Sequence, residues 1–354
     1  MSRSVDLEPH DDSTARVALA RYVPQVIPLR VEAQGNRGGF SGAAIWRVET
    51  AAGDFALRRW PQPGLPRERI AGLHRLLEHL WNAGLRCVAV PVRATDGATL
   101  TAVAGQLWQL ESWLPGVADF HARPSNKRLS HTLAALAQWH RAAERFVPEA
   151  TAAPWFFGRP AAPSPAALER LAILTTVDAG RVARVSRSLV GDRSGLSSDT
   201  AIRDLARRVL SHFQRTRAAV AAELQLLRET PFRVQPCLRD VWHDHVLFEG
   251  DAVTGLIDPS ACRIENVATD LARLIGSLVE DDRAAWDFAL AEYQRQRPLS
   301  ANELALVAVL DRSGVLLSGW TWLEWLYIDH RSFPDVASVA GRLTEIARRM
   351  ERLV

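Results

Sequence analysis

The stretch CLRDVWHDHVLFEGDAVTGLIDPSACRIENVATDLARL, Cys237–Leu274, decides the fold. It reads as an apolar strand running into a polar loop that opens on Asp240. A short strand VLF, the turn EGD and a strand VTGLI follow, and Asp258 stands at the end of the last. Asp270 opens the next helix. Two short strands joined by a tight turn predict that Asp240 and Asp258 reach the same end of a small sheet. Two carboxylates converging on one loop face form a divalent-cation and base pair. An isolated pair of aspartates would better fit a plain hairpin with acids at its solvated ends, but the ordered pattern as a whole favours chemistry.

That pattern resembles the catalytic segment of the aminoglycoside phosphotransferase family and its choline kinase and fructosamine kinase relatives. Those families carry HGDxxxxN, an apolar strand, a turn, an I-D-F-G or I-D-P segment and a downstream D-L-A. Here LRD stands where HGD would be, which puts Asp240 at the catalytic aspartate. Asp258 falls on the metal-binding aspartate, and ATDLARL matches the D-L-A helix start with Asp270 as its acid. Trp242 and Pro259 look most like the fructosamine kinase variant. The resemblance extends to GGFSGAAIWRV, similar to the nucleotide-covering loop, to FALRRW, similar to the strand bearing the ATP lysine, and to LWQLESWLPG, similar to the segment linking the lobes.

The resemblance implies a protein-kinase-like, two-lobed α+β fold: a β-rich nucleotide-binding lobe over residues 1–116 and a larger, mainly helical lobe over 117–354. The latter would hold the catalytic segment 237–274 and a helical substrate insert at about 150–230. It also implies ATP and a divalent metal, Mg²⁺ or Mn²⁺, as cofactors. Asp240 would accept or orient the proton of a substrate hydroxyl, and Asp258 would hold the ion. Backbone amides around Gly38, Gly39 and Ser41 would cover the phosphates. Gln109, Glu111 and Trp113 would lie in the hinge, with backbone groups toward the adenine. Asp270 would brace the catalytic loop.

Two positions depart from the pattern. Arg58 replaces the family lysine, and Lys127, the single lysine of the chain, lies too far along to substitute. Arginine keeps the charge and binds phosphate through two donors, with a different reach. Five residues after Asp240, His245 stands where the metal-binding asparagine would be. Imidazole suits Mg²⁺ poorly. A single ion on Asp258, a nitrogen-tolerant metal such as Mn²⁺, or a protein that transfers no phosphate are the open outcomes. Glu68 and Glu78 are candidate partners for Arg58 on the first-lobe helix, with His74 between them.

Composition narrows the classes. The chain has 354 residues, is 47% hydrophobic and carries a net charge of +3, enough for two globular units. No basic run reads as a nucleic-acid arm. The cysteines Cys87, Cys237 and Cys262 are far apart, which argues against a disulfide framework and a structural zinc site. The N-terminus is not a secretory signal, and no uninterrupted apolar segment reads as a membrane span. The expectation is a cytoplasmic protein without nucleic-acid or membrane partners.

Periodicity predicts helices over 13–23, 66–80, 127–146, 166–190, 200–229, 266–279, 282–296, 301–327 and 336–353. Strands are expected at 26–31, in a hairpin over 43–60, at 87–93 and at 107–113. Residues 147–165 read as a linker. Residues 166–230 are rich in Arg and poor in acids, with Phe213 the single aromatic. That disfavours choline and aminoglycosides as acceptors and leaves a sugar, an anionic metabolite or an acceptor of another class. The leading function is ATP-dependent phosphorylation of a small-molecule hydroxyl. The alternatives are a non-catalytic nucleotide- or partner-binding member of the same fold, and a metal-dependent hydrolase centred on WHDH, with His243 as a further ligand.

Overall fold

The computed structural model describes residues 10–22, 26–34, 43–191, 199–333 and 335–353. Along the chain run α1 (His10–Leu19), β1 (Pro28–Ala33), β2 (Ala44–Thr50), β3 (Gly53–Arg59), α2 (Arg67–Asn82), β4 (Thr101–Val103) and β5 (Gln106–Ser112). Then come α3 (Asn126–Ala143), α4 (Ala153–Phe156), β6 (Arg159–Ala162), α5 (Pro165–Thr176), α6 (Ala179–Gly191), α7 (Thr200–Leu226) and β7 (Phe232–Cys237). The remainder is β8 (Val246–Glu249), β9 (Ala252–Leu256), β10 (Arg263–Glu265), α8 (Ala268–Val279), α9 (Arg283–Gln294), α10 (Ala301–Tyr327) and α11 (Val336–Glu351).

The chain divides into two compact units. One is Met1–Gly158 with His243–Arg263, the other Arg159–Trp242 with Ile264–Val354. The boundary therefore differs from the expected break at residue 116. The β8–β9 hairpin and α3 belong with the N-terminal sheet, because Phe248 pairs with Val117 and Leu256 N–H donates to the Cys87 carbonyl. Gly116 permits that approach. Its φ is +98°, and a Cβ there would lie 2.5 Å from Thr254 Oγ1 and 2.7 Å from the Phe248 carbonyl.

The first unit is built on an antiparallel sheet of order β1-β2-β3-β5-β4. Alternation in AIWRVET buries Trp46 and Val48 on one face, where Leu57, Trp108 and Leu110 join them. Ala15, Ala18, Leu19 and Tyr22 close that face from α1 and the turn after it. Trp46 and Trp108 lie 5.3 Å apart, each contributing roughly 4–6 kcal/mol by buried area. The segment 87–93, expected as a strand, forms a single bridge, Pro91 to Glu111. Pro91 has no N–H to extend the ladder.

The second unit is helical around a small sheet of order β10-β7-β6. Its β6 lies in the stretch read as a linker, pairs with β7 and carries Pro160, which an edge strand tolerates. The long α10 packs on α5, α7, α8 and α11. Among the described residues it is the one helix long and apolar enough to cross a membrane, with half of the apolar stretch buried. Asp311 and Arg312 interrupt it, so it is not an uninterrupted apolar segment. The charges inside it are paired: Asp311 accepts from Arg349 at 3.0 Å, and Arg312 Nε donates to Glu223 at 3.0 Å. Ser300 and Glu303 form a capping box at its start.

Candidate active site

Arg58 is buried in the first unit, with only 9% of its side chain exposed. Strand register explains its neighbours. Arg58 pairs with Gln109 across β3–β5, and Ala56 with Glu111, so Arg58, Gln109 and Glu111 share one face of the sheet. Arg58 Nη1 donates to Asp258 Oδ1 at 3.3 Å, and its Nε lies 3.7 Å from Glu111 Oε1. Burial raises the Glu111 pKa, and Arg58 opposes that shift.

Behind this ion pair stands a chain of neutral groups. Gln109 Nε2 donates to Glu111 Oε2 at 2.7 Å. Gln109 Oε1 accepts from Trp60 Nε1 at 2.8 Å and meets His74 Nε2 at 2.8 Å. His74 Nδ1 is 2.8 Å from Thr99 Oγ1. With the amide oriented by the carboxylate and the indole, His74 must carry its proton on Nε2 and accept from Thr99 at Nδ1. Burial lowers the His74 pKa to about 4, so the ring is neutral near pH 7.

Gln109 and Glu111 thus lie within β5 with side chains turned inward, and not in the connection expected from the sequence. The hydrogen-bonding alternation of the strand extends through Ser112, and the Trp113 N–H donates to the Asp54 carbonyl at 3.1 Å. Of the helix candidates, Glu68 is exposed and Glu78 pairs with Arg93. His74 alone joins the network, and it reaches Gln109 rather than Arg58. Lys127 pairs with Asp251 at 3.0 Å on an exposed surface. Gly38, Gly39 and Ser41 lie outside the described residues.

Asp258 lies two residues beyond β9, in the left-handed region at φ +52°. Ile257 N–H donates to the His245 carbonyl at 2.9 Å, and Val246 pairs with Leu256. The hairpin therefore brings His245 and Asp258 to one end. His243 packs its ring edge-on to His121 at 4.3 Å.

In the second unit, Asp240 is exposed and accepts from Arg273 Nη2 at 3.1 Å through Oδ1. Asp270 is fully buried and accepts from Leu238 N–H at 2.8 Å and Arg239 N–H at 2.6 Å. It braces the loop that leads into Asp240, as expected. Arg239 occupies the left-handed region at φ +67°. That explains why the similar families place glycine before the aspartate. Arg239 Nη2 is tied to Glu169 at 2.7 Å, and its Nε lies 3.9 Å from Glu265. Burial raises the Glu265 pKa to about 7, although Asn266 N–H, Ser164 Oγ and Ala166 N–H all donate to its carboxylate.

The profile of the phosphotransferase enzyme family, APH, matches residues 32–304. The chain belongs to this family. A homoserine kinase of Acidiphilium cryptum (strain JF-5) is 26% identical over 345 residues, covering 96% of this chain and 92% of that protein. An aminoglycoside phosphotransferase from Alicyclobacillus acidocaldarius superposes with a TM-score of 0.64 at 15% identity, over 99% of this chain and 95% of the other. An amicoumacin kinase, solved with AMP-PNP and Ca²⁺, gives a TM-score of 0.63 at 14% identity, over 95% and 96% of the two chains. The fold is protein-kinase-like, and the protein is a small-molecule phosphotransferase.

Several residues of this phosphotransferase escaped the sequence reading: Trp60 and Thr99 in the Arg58 network, and Glu169, Glu265 and Arg273 around the Asp240 loop. The i, i+2 spacing of Arg58 with Trp60 and of Gln109 with Glu111 was the available signal for the first group. For the second, Arg273 stands three residues after Asp270, on the same helix face.

Proposed function

We propose that this phosphotransferase uses ATP to phosphorylate a hydroxyl of a small molecule, with homoserine as the first acceptor to test. The observation that carries the reading is the Asp240 loop: an exposed carboxylate on a backbone gripped by buried Asp270 through two amides. A base held on a rigid loop suits phosphoryl transfer, which depends on positioning more than on covalent chemistry. The homoserine kinase relative, matched over nearly its whole length, supports the acceptor class.

In the reaction, the acceptor oxygen forms a bond to the γ-phosphorus as the bond from that phosphorus to the bridging oxygen breaks. The hydroxyl proton passes to Asp240, and ADP leaves. Arg58, pinned by Glu111, presents a fixed cation to the phosphates. Glu111 acts on nucleotide through Arg58. The chain from Trp113 to Gly116 borders the adenine.

The donor set fits a divalent cation. Asp258 offers a carboxylate, and Mg²⁺ characteristically takes one or two carboxylates together with substrate phosphates and water. His245 adds a nitrogen donor at the same end of the hairpin, which favours Mn²⁺. Held there by Asp258, such an ion would neutralise charge on the phosphates.

The test is a reaction of purified protein with ATP and homoserine, with Mg²⁺ and separately with Mn²⁺, followed by phosphorus NMR. A new phosphomonoester resonance that grows with ADP supports the reading. ATP left intact across a panel of hydroxylated metabolites, with nucleotide binding retained, would favour a non-catalytic member instead.

A further inference from the structure

Three arginines gather about the Asp240 loop in the second unit, and two of them are committed. Arg170 lies within electrostatic reach of Glu265, Arg273 and Arg239 and is committed to α10, donating to Ser313 Oγ at 3.0 Å and to the Leu310 carbonyl. Arg239 is held by Glu169 at 2.7 Å and faces buried Glu265. Arg273 differs. Its side chain is 40% exposed, and among the described residues its one acid partner is Asp240. Its guanidinium lies over the Trp242 ring, 5.9 Å from the centroid.

The position of Arg273 follows from the helix. Asp270 and Arg273, three residues apart on α8, share the face over the loop. Asp270 grips the backbone before Asp240, while Arg273 reaches the carboxylate itself. A cation whose partner is the reacting carboxylate loses part of that interaction when a substrate hydroxyl takes Asp240. A second anion delivered with the substrate restores the balance. A guanidinium held near an indole face can receive a carboxylate, because its planar fork offers two parallel N–H donors.

We infer that Arg273, braced on Trp242, is the specificity-determining residue for the acceptor, and that the acceptor class is a small hydroxy acid or hydroxy amino acid. This rests on the phosphotransfer reading above and names the substrate of that same site. The acceptor's carboxylate binds Arg273 while its hydroxyl meets Asp240. Adding a hydrogen bond at each end of the 3.1 Å contact limits the hydroxyl-to-carboxylate distance to roughly 9 Å. That span admits small metabolites. A polycationic acceptor would meet like charge at Arg273 and across the Arg-rich, acid-poor stretch 166–230.

The experiment compares homoserine with 3-amino-1-propanol, which keeps the amine and the hydroxyl and lacks the carboxylate. Serine and 4-hydroxybutyrate complete the panel. Full-length wild type, R273K and R273Q are assayed for kcat/KM with each acceptor. Loss of the Asp240 contact lowers turnover of every acceptor alike, so the ratio between acceptors reads recognition alone. Wild type is expected to prefer the best carboxylate-bearing acceptor about 100-fold, and R273Q to compress that preference at least about tenfold, mainly through KM. R273K, which keeps the charge without the fork, falls between. An equal loss for all acceptors in R273Q, or a wild type that takes 3-amino-1-propanol as readily as the acids, overturns the inference and leaves phosphotransfer standing. Calorimetric titration with the same acceptors in the presence of AMP-PNP separates the two claims. Binding of acids that R273Q abolishes, without any product in the kinetic assay, would sink phosphotransfer and uphold the inference. No binding and no turnover of any acid would overturn it.

Discussion

Arg58 Nη1 stands 3.3 Å from Asp258 Oδ1, so the cation that replaces the family lysine is tied directly to the carboxylate proposed for the metal. On the other side, Glu111 holds the same guanidinium from within β5. In this protein a strand carboxylate, rather than one on α2, holds the Arg58 guanidinium. The helix contributes neutral His74, one step further back.

Removal of the cation alone should be severe. R58M leaves Glu111 buried without its counter-charge, and breaking such a pair costs about 3–5 kcal/mol. Urea unfolding of R58M is expected to show a loss of that order. R58M/E111Q should recover at least half of it, because no buried charge remains unpaired. Nucleotide affinity should stay low in both. A double variant no more stable than R58M would show that Arg58 and Glu111 are not coupled.

Acid stability tests the neutral state of His74. The unfolded ring titrates near 6.5 and the folded one near about 4, lowered chiefly by burial. Between those values the unfolded chain holds a proton that the folded chain lacks. Stability should therefore fall as pH drops from about 6.5 to 4, by up to ~3 kcal/mol. H74Q keeps a donor for Gln109 and an acceptor for Thr99, and should flatten the profile in that window. The raised pKa of Glu111 acts in the opposite sense, with stability lost as pH rises through it, and is common to both proteins. Matching profiles for wild type and H74Q would refute the assignment.

The Asp240 loop should be sensitive to its brace. D270N leaves one of two backbone N–H groups facing an amide, at a cost of about 1–3 kcal/mol. Displacement of Asp240 should lower kcat on the order of 100-fold with little change in nucleotide KM. At the next residue, R239G and R239A lose the same ion pairs, but only glycine relieves the left-handed backbone. R239G should be about 1 kcal/mol more stable than R239A by thermal unfolding.

Metal preference reads the role of His245. Replacement by the oxygen donor of the family pattern, H245N, should shift the ratio of Mg²⁺- to Mn²⁺-supported turnover toward Mg²⁺ on the order of tenfold. An unchanged ratio would place His245 outside the ion's coordination.

Much of the architecture was legible because local periodicity and tertiary burial agree. The hairpin of β2 and β3 alternates as its buried face demands, and α10 runs from Ala301 to Tyr327 where its apolar pattern placed it. Residues 87–93 failed as a strand because Pro91 removes a donor that composition alone does not weigh. Asp240, Asp258 and Asp270 stood out through their order in the chain. Glu111 was noticed for the wrong reason: which residue leaves a strand into a hinge depends on where its last hydrogen bond forms. For Arg273 the spacing from Asp270 was the one signal, and nothing in DLAR marks the arginine as the partner of an aspartate 33 positions earlier.

The most direct test of phosphotransfer through Asp240 is acceptor-dependent ADP formation by wild type beside D240N, with homoserine and either metal. Asparagine keeps the size of the side chain and removes the base. Turnover is expected in wild type, with a loss of at least about 100-fold in kcat for D240N and nucleotide binding intact. Equal turnover in the two proteins would contradict it.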